Sequence, residues 1–227
     1  MKWRSLEESA PDSDTRRLRE QLAERKELIA RYVPAEIQAV HARVVADLKA
    51  SGMAERVLPA GAQAPGFELK DHNGRPVSSA GLLAKGWLVV FFLRGRWDPF
   101  CCGQAEAMNQ LLPRILEAGA SAVAISPQTV EQSYFMADQH KLRFPLLSDA
   151  GNQVARRFGL AYRVPDEQQV IYRRAFVNLP LANGDESWEL PIPATYILDR
   201  EGRVRYVSAD PDYSERPEPE EILAHLA

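Results

Sequence analysis

The stretch Trp87–Gln104 reads Trp-Leu-Val-Val-Phe-Phe-Leu-Arg-Gly-Arg-Trp-Asp-Pro-Phe-Cys-Cys-Gly-Gln, and it constrains the fold more than any other part of the chain. Residues 87–93 form an unbroken apolar run rich in β-branched and aromatic side chains. A run this short, without polar alternation, suits a strand covered on both faces, as in a parallel sheet. Arg94-Gly95-Arg96 interrupts it. Asp98 followed by Pro99 then signals a helix start, with a capping carboxylate and a proline at the first helical position, where its missing N–H costs nothing. Cys101 therefore falls in the first turn of a helix, just past the carboxyl end of a central strand. Free amides and the positive end of the helix dipole are expected to face such a sulfur and favour its thiolate. Chemistry in open α/β sheets gathers at this edge.

The flanking sequence predicts the rest of an α/β architecture. Residues from about Asp14 to Tyr32 carry Leu18, Leu22, Leu28 and Ile29 among charged residues, an amphipathic helix pattern. Pro34 opens a second helix with Ile37, Val40, Val44 and Leu48 on one stripe, closed by Ser51-Gly52, and His41 beside that stripe reads as a packed residue. The two helices are expected as an appended hairpin, residues 1–58, covering either the main domain or a second subunit. Residues 59–227 form the α/β domain, entered through the Pro- and Gly-rich linker 59–66. Phe67–Leu69 and Pro76-Val77 flank the turn Asp71-His72-Asn73-Gly74 as a small hairpin, with His72 a turn residue. Beyond the Cys101 helix, which Pro113 is expected to kink or shorten, the pattern continues with a strand at 122–126, a helix at 129–140, a strand at 144–147 and a helix at 152–158. Within 159–191, Asn183-Gly184 reads as a hairpin turn between Phe176-Val177 and Trp188–Leu190. A strand at 194–198, the turn Asp199–Gly202, a partner strand at 203–207 and a helix at 218–226 complete the chain. Tyr134, Trp188 and Tyr196 are expected in the core.

The chain has two cysteines, Cys101 and Cys102, and they are adjacent. Neighbouring Cα atoms lie about 3.8 Å apart, whereas disulfides prefer about 5.5 Å, so a bridge between them would be strained. The absence of a disulfide framework agrees with a reducing, cytoplasmic compartment, and there is no zinc-type cysteine spacing. The formal charge of -3, from 28 basic and 31 acidic residues well mixed along the chain, gives no nucleic-acid footprint. No apolar run approaches the length of a membrane span, and the first residues lack the apolar core of a signal peptide. Neither a metal nor a cofactor is called for.

Several separated motifs carry a family resemblance. Phe-Leu-Arg-Gly-Arg-Trp-Asp-Pro-Phe-Cys at 92–101, Phe-Pro-Leu-Leu-Ser-Asp at 144–149 and Pro-Ala-Thr-Tyr-Ile-Leu-Asp-Arg-Glu-Gly at 193–202 resemble the thioredoxin-fold redoxins. The likeness is strongest to the peroxiredoxin (alkyl hydroperoxide reductase/thiol-specific antioxidant) superfamily, and it covers roughly Pro59 to the C-terminus. It implies a central mixed sheet flanked by helices, with the helical extension added at the N-terminus. Cys101 falls on the peroxidatic cysteine and Pro99 on the proline two residues before it. The resemblance further implies a peroxide as substrate, an external thiol (thioredoxin, glutathione or similar) as reductant, and suggests a homodimer. Three positions depart from the pattern. Asp98 stands where typical members have Thr or Ser and the closer branch has a second cysteine. Pro193 stands where an arginine is usual, and is expected to form a cis Ile192–Pro193 bond. No distant cysteine is present to resolve a sulfenic acid.

The candidate site is therefore Cys101 as nucleophile, Arg94 as a cation beside it and Asp98 as a cap and like charge that opposes ionisation of the sulfur. Trp97, Pro99, Phe100, Pro193 and Thr195 are its expected walls. Arg96 and Cys102 read as a solvated residue and inert packing. Three functions stand open: a one-cysteine thiol peroxidase, a thiol–disulfide oxidoreductase or redox sensor, and a noncatalytic redoxin-fold binding module.

Overall fold

The computed structural model describes residues 16–226. The start of the first expected helix, at Asp14, and the segment read for a signal peptide lie outside the described residues. The chain enters through α1 (Leu18–Tyr32), α2 (Ala35–Ala50) and the short α3 (Met53–Arg56). The hairpin β1 (Glu68–Asp71) and β2 (Pro76–Ser78) and the single-turn α4 (Ser79–Leu83) lead to β3 (Trp87–Phe92) and the long α5 (Pro99–Glu117). There follow β4 (Ala120–Ser126), α6 (Val130–Gln139), β5 (Leu146–Ser148) and α7 (Gln153–Arg157). An insertion comprises β6 (Ala161–Arg163), α8 (Asp166–Arg174), α9 (Leu179–Asn183) and β7 (Glu189–Pro191), and β8 (Ala194–Leu198), β9 (Val204–Ala209) and α10 (Pro219–Ala224) close the chain.

The main sheet is ordered β2-β1-β5-β4-β3-β8-β9. β3, β4 and β5 are parallel, while β8, β9 and the β1–β2 hairpin run antiparallel to their neighbours. The continuous apolar run in β3 has a direct cause here. Val89, Phe91 and Leu93 face a core with Met108 and Ile115 of α5 and Met136 of α6. Leu88, Val90 and Phe92 face the opposite core, with Met53, Phe158 and Tyr196. Both faces are covered, so a polar residue is excluded from either.

The structure departs from the sequence-based expectations at four places. Helix α5 continues through Pro113 to Glu117. Proline removes the helical donor to the carbonyl of Asn109, but Arg143 Nη2 donates to that oxygen at 2.6 Å and so takes the missing donor's place. Between Gly159 and Pro191 the partner of Glu189–Pro191 is β6, not Phe176-Val177. Asn183-Gly184 ends α9, with Gly184 left-handed at φ 71°. No cis peptide is found among the described residues, so the bond before Pro193 is trans. Ile192 N–H is bonded to the carbonyl of Leu160 and Ala194 already pairs with Phe92, so the chain must stay extended from β7 into β8. Tyr134 is exposed, because Ser133, Met136 and Ala137 form the inner face of α6; Trp188 and Tyr196 are buried as expected.

The N-terminal helices α1 and α2 cover the α/β body, one of the two placements the sequence left open. Leu18 and Leu22 of α1 pack with Phe100 and Ala107 of α5, and α2 lies against α8 and α3. The Arg25 guanidinium of α1 lies over Gly103 of α5, where a Cβ would come within 2.5 Å of its Nη1 and displace it. Arg25 in turn donates to the Pro99 carbonyl in the first turn of α5. Leu22→Ala should therefore lower the unfolding free energy by about 2 kcal/mol or more, the cost of a buried leucine truncation. Denaturant titration checks this, and an unchanged midpoint would show that α1 does not stabilise the α/β body.

Candidate active site

Asp98 caps α5 as its sequence suggests, with Oδ1 accepting from the Phe100 N–H at 3.0 Å. Its other oxygen, Oδ2, accepts from Arg94 Nε at 2.8 Å and from the Cys101 Sγ–H at 2.9 Å. All three residues are enclosed: Asp98 and Cys101 are 0% exposed and Arg94 is 3% exposed. Gly95, at φ 148°, makes the turn between strand and helix that brings Arg94 and Asp98 together. A Cβ at Gly95 would meet Trp97 Nε1 at 2.7 Å.

Arg94 has a divided role. Its side chain is committed to Asp98, and it is the Arg94 backbone N–H that points at Cys101 Sγ, at 3.3 Å. Two amides of the first helical turn are otherwise engaged: Phe100 N–H by the Asp98 carboxylate and Cys102 N–H by the Asp98 carbonyl. The amide that serves the sulfur thus comes from the strand end, and not from the helix as expected.

The cation nearest the sulfur is one the sequence does not single out. Arg216, from the segment between β9 and α10, places Nη2 3.6 Å from Cys101 Sγ and 4.0 Å from Asp98 Oδ2, with a side chain 1% exposed. Gln104 Oε1 holds Arg216 Nε at 2.7 Å, and Gln104 Nε2 donates to Thr195 Oγ1 at 3.1 Å. Thr195 therefore acts on the site through Gln104 and Arg216. Tyr213, from the same segment as Arg216, lies over the Arg94 guanidinium at 3.9 Å. Nothing local in Glu215-Arg216-Pro217 marks these residues; a charged group flanked by prolines reads as loop.

The remaining expected walls are distributed more widely. Trp97 stacks against Tyr172, lies 5.0 Å from Arg94, and joins the small core of the insertion. Phe100 turns away from the sulfur to pack under α1 and Tyr213. Pro99 is exposed, and Pro193 is buried at the start of β8. Arg96 is exposed and bonded to Gln132. Cys102 points elsewhere, donating to the Arg96 carbonyl at 3.3 Å.

The electrostatics follow from this enclosure. Burial pushes the Cys101 thiol up, Asp98 adds to the shift, and Arg216 and Arg94 oppose it, leaving the thiol at about 11. Burial alone would raise the Asp98 carboxyl, but Arg94 and Arg216 outweigh it and hold it below the ordinary range. The resting site is a neutral thiol donating to a carboxylate. Asp98→Thr keeps a capping hydroxyl and removes the like charge, so it should lower the Cys101 titration midpoint from about 11, while Arg216→Met should raise it. Thiolate absorbance against pH, in a Cys102→Ser background, reads both; a midpoint indifferent to Asp98→Thr would contradict this account.

The comparisons with known proteins agree with one another. The profile of the AhpC/TSA family matches residues 60–207. A chloroplastic peroxiredoxin Q of Sedum lineare is 36% identical over 147 residues, which are 65% of this chain and 67% of that protein. The chloroplastic peroxiredoxin Q of Arabidopsis thaliana is 32% identical over 147 residues, 65% of this chain and 57% of that one. Among solved structures, peroxidoxin BcpB from Mycobacterium tuberculosis superposes with a TM-score of 0.59 at 25% identity, over 74% of this chain and 96% of that chain. The bacterioferritin comigratory protein of Xanthomonas campestris does so at 0.56 and 20% identity, over 70% and 89%. The mixed sheet with flanking helices is thioredoxin-like in its arrangement, and by family match and fold alike the chain belongs to the AhpC/TSA family.

Proposed function

We propose that the protein is a thiol-dependent peroxidase of one-cysteine type. In the reaction, the Cys101 thiolate attacks one oxygen of a hydroperoxide. An S–O bond forms, the O–O bond breaks, and the leaving oxygen takes a proton to depart as water or an alcohol, leaving Cys101 as a sulfenic acid. An external thiol then condenses with the sulfenic acid to give a mixed disulfide and water, and a second thiol releases Cys101 reduced.

The observation that carries this reading is the pair of N–H donors converging on one sulfur: the Arg94 amide at 3.3 Å and the Arg216 guanidinium at 3.6 Å. Both stabilise the thiolate when the proton leaves, and a guanidinium there can also bind a developing negative charge on the departing oxygen. A reductant from outside the chain follows from cysteine usage, because Cys101 and Cys102 are the only two and their side chains diverge. Thiol reductants suit a reducing compartment such as the cytoplasm. Among the described residues no helix is long and apolar enough to cross a membrane.

One set of observations favours a second reading, a redoxin fold kept as a binding module. Cys101 is fully enclosed and its thiol is displaced upward by burial and Asp98. Peroxide consumption with an external thiol separates the two. Wild type and Cys102→Ser should consume peroxide, and Cys101→Ser should lose at least about 99% of the rate, as expected when the group that forms the covalent intermediate is removed. Equal rates in the two serine variants, or no consumption by wild type, would overturn the peroxidase reading.

A further inference from the structure

Residues 210–218, between the end of β9 and the start of α10, cover one side of the sulfur, whose other sides meet the core and the Arg94–Asp98 pair. Arg216 covers Cys101 and Asp98, and Tyr213 covers Arg94 and meets Phe100 edge-on at 5.7 Å. This segment lies beyond the last register pair of β9, Ala209 with Ala194. Its hydrogen bonds include local turns: Asp212 N–H on the Asp210 carboxylate, Ser214 N–H on the Asp212 carboxylate, and Glu215 N–H on the Asp212 carbonyl. A cleft of about 420 Å³, lined in part by Tyr206, Ser208, Glu215 and Arg216, opens on its flank.

Its fastenings come from the N-terminal helices. Asp210 pairs with Lys49 of α2 at 3.2 Å, Glu215 with Lys26 of α1, and Glu218 with Arg19 of α1 at 2.8 Å. The segment Asp-Pro-Asp-Tyr-Ser-Glu-Arg-Pro-Glu carries four acidic residues against one arginine, opposite basic residues of α1 and α2. Lys26, Lys49, Glu215 and Asp210 are each 40% exposed or more. Ion pairs this wet are individually weak and screened by salt, which makes them suited to a contact that opens and recloses.

We propose that residues 210–218 are a strap over the reactive sulfur, latched electrostatically to α1 and α2, and that the N-terminal helices serve as its keeper. With the strap closed, Arg216 and Gln104 complete the cation site at Cys101 but nothing can reach the sulfur. With it open, the sulfur is accessible but has lost Arg216. Peroxide and thiol enter on opening, and reclosure returns the guanidinium to the reacting oxygens. The proposal takes Cys101 as the reactive sulfur, as above, yet its test reads alkylation and not turnover, so either idea can fail without the other.

The test is iodoacetamide alkylation of Cys101 in the full chain carrying Cys102→Ser, followed by peptide mass mapping. Lys26→Gln with Lys49→Gln should speed alkylation about tenfold at low salt, the combined effect expected of two exposed ion pairs. The sign is diagnostic: removing positive charge cannot by itself favour the thiolate, so a faster reaction reads exposure of the sulfur. Raising salt to about 0.5 M should bring wild type up toward the double variant. Lys26→Glu alone should likewise speed alkylation, and the charge exchange made by adding Glu215→Lys should return it to the wild-type rate. Unchanged or slower alkylation in the double variant overturns the strap. So does a rise that merely follows a fall in global melting temperature and is not reversed by the exchange.

Discussion

The buried ion pair of Arg94 and Asp98 is the constraint around which the rest of the site is arranged. A charged pair with almost no solvent contact is tolerated only if its remaining hydrogen-bonding capacity is met. Here Asp98 is met by the helix it caps, by the Cys101 thiol and by Arg94 itself, while Arg94 is enclosed by Tyr213, Trp97 and Tyr172. Removing one partner of such a pair strands the other and costs about 3–5 kcal/mol. The pair also bears on the state of the sulfur. Asp98 is held ionised by Arg94 and Arg216, and with burial, the larger cause, it pushes the Cys101 thiol up.

The scaffold holds this arrangement from both sides. Strand β3 is central, hydrogen-bonded to β4 and β8, and Leu93 N–H continues the ladder onto the Ile125 carbonyl just before Arg94. That pins the Arg94 amide where the sulfur needs it. Thr195 on neighbouring β8 positions Gln104, which positions Arg216. The cation at the sulfur is thus supplied by the segment between β9 and α10 but oriented by the core.

The elements that were legible in the sequence share a physical reason. The β3 run, the cap at Asp98, the β1–β2 turn and the β8–β9 hairpin are all set by local chemistry, whether apolar covering, a side-chain oxygen on a backbone N–H, or turn geometry. The misreadings occur where a distant group changes the local balance. Pro113 would break a helix if Arg143, thirty residues on, did not reach back to the Asn109 carbonyl. The exposure of Tyr134 depends on which face of α6 meets the sheet, and the aromatic spacing alone does not reveal that. The trans bond before Pro193 depends on Ile192 being tied to Leu160.

The sequence by itself determined the α/β class, the strand-to-helix turn and the position of Cys101 at its start, because those depend on interactions within a few residues. It also placed Asp98 beside the sulfur, since capping and the helical repeat leave little choice. What only the tertiary structure decided is which cation faces Cys101 and what seals it. Arg94 turns to Asp98, and Arg216 crosses from 115 residues away to take the place beside the sulfur. The Coulomb interactions between buried groups depend on distance in space and on the exclusion of water, neither of which is written in the order of the chain.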